Sequence, residues 1–331
     1  MKKTIQAVFL TLLAAQVLVV GQGADAKKIV ADIRAALGGE EKLAALKTIA
    51  VEGQVSKVVN ENTSAGSDFE LAIELPGKYM KREVFANLGG MQLKRRVGFS
   101  GKDVIEEMDT PPSMGGNVHI MRAPGAGMVG GTPTPEQLAA QKALLLASSR
   151  REFARLMVGF TGGTSPEFPV EFVYGGQAEA RDGKADILDV KGPDGFTARL
   201  FVDGKTHLPL MLTWMDKEPL SMMVTNDGRG GGGGVRSSGG GVQVMSSTGM
   251  GGTPEELAKM RDDMAARMAE AEAKRRVVEY RLFYGEYKAV DGLKMPTRVQ
   301  RMVDGVATEE MTLDKIKINQ KIDPAKFAVV K

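Results

Sequence analysis

The chain of 331 residues contains no cysteine. Disulfides, thiolate metal sites and cysteine nucleophiles are therefore excluded. Histidine occurs twice, as His119 and His207, far apart in the sequence. Zinc sites and Ser-His triads usually draw on His or Cys, so those chemistries have little to build on. Both histidines read as surface or internally satisfied side chains. Neither sign of charge dominates: 44 Lys and Arg against 41 Asp and Glu leave a formal net charge of +3. Such a balance exerts little electrostatic pull on nucleic acid. The basic runs Lys94-Arg95-Arg96 and Lys274-Arg275-Arg276 are short and read as solvated faces.

Long apolar runs are also scarce, and the one present lies at the start. Met1-Lys2-Lys3 is followed by an apolar stretch and then by Ala24-Asp25-Ala26. This is the layout of a secretory signal peptide over residues 1–26. The apolar stretch is shorter than a membrane span requires and contains Gln6 and Gln16. The expected location is periplasmic or secreted, with no stable membrane span once the signal is removed. No cysteine follows the signal, so lipidation there is excluded. Residues 27–331 then read as a single domain held by a hydrophobic core.

The periodicity of that domain begins helical. Ile29, Ile33 and Leu37 fall four apart and predict a helix over residues 27–37, which Gly38-Gly39 ends. A short second helix is expected over residues 40–46. Alternation follows. Phe69, Leu71, Ile73 and Leu75 interleave with Glu70, Ala72 and Glu74, the signature of a half-buried antiparallel strand. Strands are expected to return over residues 78–85 and to pair over 93–99 and 104–108. Asp182-Gly183, Asp194-Gly195, Asp203-Gly204, Asp291-Gly292 and Asp304-Gly305 separate further strand-like runs. Asp-Gly steps favour the positive φ of tight hairpins, so a meander is expected.

Two near-copies of one phrase interrupt the meander. "GMVGGTPTPEQLA" starts at Gly127 and "GMGGTPEELAKM" at Gly249. Each predicts a capped amphipathic helix, over residues 135–158 and 254–275. Thr134 with Gln137, and Thr253 with Glu256, have capping-box spacing, with proline in the first turn. The second helix carries the pairs Glu255/Lys259, Asp263/Arg267 and Glu270/Lys274, and a stripe that includes Met260, Met264 and Met268. A glycine-rich loop at residues 227–252 precedes it; residues 228–252 hold 12 glycines in 25 positions. Both helices are expected to pack on one face of a curved sheet.

Catalytic signals are weak. The pairs Glu106-Glu107, Asp262-Asp263 and Glu309-Glu310 read as solvated surface, because neighbouring strand residues point to opposite faces. The glycine run lacks the Gly-Lys-Ser/Thr ending of a phosphate loop. Among 20 methionines, only His119-x-Met121 comes near a thioether copper site, so no cofactor or metal is expected. The helix methionines instead suit an adaptable apolar surface.

The runs "IRAALGGEEKLAALKTIAVEGQV" from Ile33, "VDGKTHLPLML" from Val202, "YGEYKAVDGLKMPTRV" from Tyr284 and "KIKINQKIDPAKF" from Lys315 resemble the bacterial lipoprotein-carrier (LolA/LolB-like) superfamily. The resemblance covers most of residues 27–331. It implies an α+β fold: a curved antiparallel sheet, a half-open β-barrel, covered by helices. It also implies a non-enzymatic periplasmic binding or carrier protein for lipid, acylated protein or another hydrophobic ligand. The alternative is an envelope protein-interaction or stress-sensing module. Stretches apolar on both strand faces mark Met211, Trp214, Leu282 and Phe283 as candidate lining. Met260, Met264 and Met268 are the candidate contacts on the second inserted helix. The expected partners are a hydrophobic ligand or lipoprotein, or an envelope protein, and not nucleic acid.

Overall fold

The computed structural model describes residues 26–59, 62–63, 66–88, 91–109, 134–180, 183–218 and 272–329, together with Glu255, Lys259, Ala266 and Glu270. Helix α1 (Ala26–Leu37) and the short α2 (Glu40–Ala44) come first. Ile29, Ile33 and Leu37 are the buried face of α1, as their spacing predicts. Strands β1 (Thr48–Val59), β2 (Asn62–Thr63), β3 (Ser67–Glu74), β4 (Lys78–Leu88), β5 (Met91–Ser100) and β6 (Asp103–Asp109) follow. Helix α3 (Pro135–Thr161) separates them from β7 (Glu171–Ala180), β8 (Gly183–Lys191), β9 (Thr197–Asp203) and β10 (Pro209–Lys217). The chain closes with β11 (Val277–Val290), β12 (Leu293–Val303), β13 (Val306–Ile318) and a 3-10 turn, Pro324–Phe327.

All strand pairs are antiparallel, in the order β6-β5-β4-β3-β1-β13-β12-β11-β10-β9-β8-β7, with β2 paired to β1. The ends of the order, β6 and β7, do not pair, so the sheet is open. Asp194-Gly195, Asp291-Gly292 and Asp304-Gly305 have positive φ at both positions, the geometry that a two-residue hairpin demands. Asp203-Gly204 works differently. The Asp203 carboxylate accepts from the backbone N–H groups of Lys205 and Thr206, and His207 takes the positive φ.

The sheet curls around α3. Phe153 of α3 packs its ring 5.6 Å from Phe99 in β5 and 5.9 Å from Tyr79 in β4. Two residues on, the Arg155 guanidinium lies 4.1 Å from the centre of Trp214 in β10. In the sheet order β4 and β10 are six ladders apart. On a flat sheet that is about 29 Å, beyond the reach of two side chains on one helical turn. The strands must bend towards the helix, which makes a half-barrel with α3 in its hollow. The expected fold class is the observed one, with α1 and α3 as its long described helices.

Helix α3 begins as its sequence predicts. Thr134 accepts from the Gln137 backbone N–H, Gln137 accepts from that of Thr134, and Pro135 takes the first turn. It runs three residues past the expected end at Val158, because Gly159, Phe160 and Thr161 stay buried in the hollow. Gly162, at φ 66°, supplies the left-handed stop. Helix α2 ends two residues early, at Ala44, with Leu46 buried in the turn that follows.

The outer face has its own cover on one side. Ile322 and Phe327 pack on Ala72, Met80 and Ile105. Arg96 holds that segment down by donating to the carbonyls of Ala325, Lys326 and Ala328 at 3.0, 3.3 and 3.3 Å. Its basic run is thus partly a structural clamp rather than a solvated face. Of the second inserted helix, Glu255, Lys259, Ala266, Glu270 and residues 272–274 are helical, and Lys274 pairs with Glu270 at 2.6 Å. The expected signal peptide up to Asp25, the expected loop at 227–252 and the stripe residues Met260, Met264 and Met268 lie outside the described residues.

Candidate functional site

The hollow is apolar over most of its area. Val51, Val55, Phe69, Leu71 and Ile73 line it from β1 and β3, and Leu200, Leu212, Trp214, Leu282 and Tyr284 from β9, β10 and β11. Helix α3 fills it with Phe153, Leu156, Met157, Val158 and Phe160. The preceding half of the helix is mostly exposed, and Leu138 and Leu144 show 41% and 66% of their surface. One helix therefore has a buried half that acts as an internal occupant and a free half that overhangs the sheet.

At one end of the hollow the lining changes to charge. Lys81 and Glu309 are buried, and Glu83, Glu152 and Arg301 are half-buried. Lys81 lies 3.0 Å from Glu83 and 3.8 Å from Glu309. Lys57 pairs with Glu309 and lies 3.6 Å from Glu83. From α3, Glu152 pairs with Arg301 of β12, and Arg155 lies 3.7 Å from Glu152 and 3.9 Å from Asp216. The cluster is balanced in sign, as burial requires.

The titration of these groups follows from their surroundings. Burial works to raise the Glu309 carboxyl, but Lys81, Arg301 and Lys57 outweigh it and hold it far below the ordinary carboxylate range. Glu83 and Glu152 are lowered too: burial opposes, and Lys81 with Lys57, and Arg301 with Lys81, prevail. Burial also works against the charge on Lys81, yet Glu83, Glu309 and Glu152 raise its ammonium well above the usual value. Burial pushes the Tyr79 phenol up, so it stays a neutral hydroxyl. Glu83, Glu152 and Glu309 are thus held as carboxylates, and Lys81 as an ammonium, across neutral pH.

Between this cluster and the overhanging half of α3 lies a cavity of about 200 Å³. Its walls are Tyr79, Lys81 and Glu83 of β4, Arg95 and Val97 of β5, Val104, Ile105 and Glu106 of β6, Leu145, Ser148, Ser149 and Glu152 of α3, and Arg301. A larger groove, about 590 Å³, lies on the outer face and is lined mainly by charged residues such as Glu52, Asp68, Glu70, Arg82 and Lys94. Its polar walls do not suit an apolar ligand.

The sequence-predicted lining residues are not brought to one surface. Trp214 and Leu282 lie in the hollow, where the Trp214 ring stacks on Tyr280 with centroids 5.3 Å apart. Met211 and Phe283 lie opposite each other on the outer face, in a separate apolar cluster with Ile187 and Phe201. The alternation of a strand imposes this split. Sequence reasoning missed the charge cluster. Glu309 is buried rather than solvated, because it lies in phase with Met311 and Leu313 on β13. Lys81 and Glu83 follow Tyr79 in the same phase, as Arg301 follows Val299. A charge at an in-phase position of a strand was the available signal.

The described residues thus form an open antiparallel half-barrel with a helix in its hollow. No family model and no curated protein matches the chain. Similar solved structures include a LolA superfamily protein from Nitrosomonas europaea, at 9% identity and a TM-score of 0.44, over 92% of this chain and 98% of that one. A DUF1329 family protein from Desulfovibrio piger is 12% identical, with a TM-score of 0.42 over 92% and 98%. An outer membrane lipoprotein-sorting protein domain from Vibrio parahaemolyticus is 7% identical, with a TM-score of 0.43 over 91% and 94%. At these values the likeness is one of architecture and carries no argument about ligand or activity. No helix among the described residues is long and apolar enough to cross a membrane.

Proposed function

We propose that this protein is a non-enzymatic periplasmic binding or carrier protein that takes a lipid, an acylated protein or another hydrophobic ligand into the hollow of the half-barrel. One observation carries the reading. The hollow is apolar over most of its area, and beside the buried face of α1 (Ile29, Ile33 and Leu37) it holds one helix half, Phe153 to Thr161, attached to a half that the sheet does not bury. An acyl chain that replaces or slides beside those side chains gains about 0.8 kcal/mol per buried CH₂. The signal-like residues 1–26 support the location. Native mass spectrometry of protein purified gently from an envelope fraction, followed by solvent extraction, tests the reading. A stoichiometric lipid or acylated species is expected. A protein that is empty and ignores added fatty-acyl probes contradicts it.

The same observation favours one second reading, an envelope protein-interaction module. A hollow that accepts the amphipathic α3 suits a helix from a partner, and the Met260/Met264/Met268 stripe offers a further contact. Polar substitution of those three methionines separates the two. Loss of a partner with acyl binding intact supports the module.

A further inference from the structure

The cavity beside α3 adds chemistry that an apolar hollow does not need. Three cations, Lys81, Arg95 and Arg301, and three carboxylates, Glu83, Glu106 and Glu152, wall it. Hydrogen-bonding capacity of both kinds is left over. The Tyr79 hydroxyl and the Arg301 Nε are buried without a hydrogen-bond partner among the described residues. Glu83 Oε2 makes ion-pair contacts with Lys81 and Lys57 but no hydrogen bond. Tyr79 is 1% exposed, so its hydroxyl has no recourse to bulk water. Each such group costs free energy until something meets it. On the other side, Val97, Val104 and Leu145 make the same cavity partly apolar.

We infer that this cavity is the polar end of the ligand site and takes a head group that carries both charges, so that the ligand is a zwitterionic amphiphile. The inference rests on the carrier reading and names its ligand class. A purely anionic head would meet Glu83, Glu106 and Glu152, and a purely cationic one Lys81, Arg95 and Arg301. Either leaves like charges facing each other at low dielectric. A head with an anionic and a cationic group offers acceptors to Tyr79 and Arg301 and a donor to Glu83. Its chain then passes Val97, Val104 and Leu145 towards the apolar lining.

Calorimetric titration of the purified full-length mature protein tests this with three short-chain probes of equal acyl length: dihexanoyl phosphatidylethanolamine, whose ammonium can donate to Glu83, dihexanoyl phosphatidylglycerol and dihexanoylglycerol. The zwitterion is expected to bind roughly tenfold tighter than either of the others, the worth of about one charge-assisted hydrogen bond. Tyr79→Phe keeps the ring contacts with Phe99 and Phe153, and is expected to remove most of that preference without changing the uncharged probe. Ser148→Phe, at an exposed position on the cavity wall, is expected to weaken the zwitterion as well. Equal binding of all three probes, or a preference for the anion, overturns the head-group inference and leaves the carrier reading standing. Binding of none overturns both. A preference that survives both substitutions places the head group elsewhere and overturns this site.

Discussion

Arg155 joins α3 to the sheet twice. Its guanidinium lies 4.1 Å from the centre of the Trp214 ring, and its backbone carbonyl accepts a hydrogen bond of 2.7 Å from the Tyr284 hydroxyl. Trp214 is the only tryptophan in the chain, so indole emission reports on this one site, where the ring lies between Arg155 of α3 and Tyr280 of β11. A largely desolvated cation over indole is worth about 2 kcal/mol. Arg155→Met is expected to lower stability by about that amount in urea unfolding and to shift the Trp214 emission in the folded state. Unchanged emission would mean that α3 does not sit over the ring in solution.

The Glu152–Arg301 pair ties the same helix to β12. Their side chains keep 20% and 22% exposure, so breaking the pair should fall at or below the lower end of the buried range. Arg301→Met is expected to cost about 3 kcal/mol, because Glu152 is left without its nearest partner. The double change Glu152→Met, Arg301→Met is expected to cost much less. A double variant whose cost in urea unfolding equals the sum of the Glu152→Met and Arg301→Met costs would show that the pair is not coupled.

Gly159 allows α3 to approach β11. A Cβ there would lie 2.2 Å from the Tyr284 ring, whose hydroxyl is fixed by Arg155. Alanine gains up to about 1 kcal/mol of helix propensity. Overpacking against a ring that cannot retreat costs about 1–3 kcal/mol and prevails. Gly159→Ala is therefore expected to lower the melting temperature. A rise would mean that the helix gives way easily at this point.

Much of this architecture is legible in the sequence. The caps, the Asp-Gly hairpins and the four-residue spacing of α1 act within a few neighbours, so they read directly from sequence. The charge cluster did not. Lys81 and Glu309 come from β4 and β13, which the sheet order separates by β3 and β1. Only the folded sheet brings them within 3.8 Å. The split of Met211 from Trp214 was implicit in strand alternation, but which face is hollow depends on the direction of curl, a tertiary property.

The cluster gives stability a defined pH dependence. The native pKa values of Glu83, Glu152 and Glu309 lie below those of the unfolded chain. Their contribution is complete above about pH 4.3 and is lost as pH falls through the native values. Lys81 has a raised native pKa, so its contribution is complete below about pH 10.4 and is lost as pH rises through the native value. Tyr79, held neutral by burial and Glu152, opposes unfolding less above about pH 10. A plateau between about pH 5 and pH 10 is expected, with an acid limb below it. Urea midpoints that stay constant down to pH 3 would contradict the buried carboxylate cluster.

The central claim is that an apolar chain enters the hollow beside α3. Bromine quenches indole emission only at close range, so acyl chains brominated along their length probe the claim directly through Trp214. Saturable, one-to-one quenching is expected, which an unbrominated chain reverses by competition. Emission that stays constant while native mass spectrometry shows the same chain bound would place the ligand outside the hollow and contradict the account.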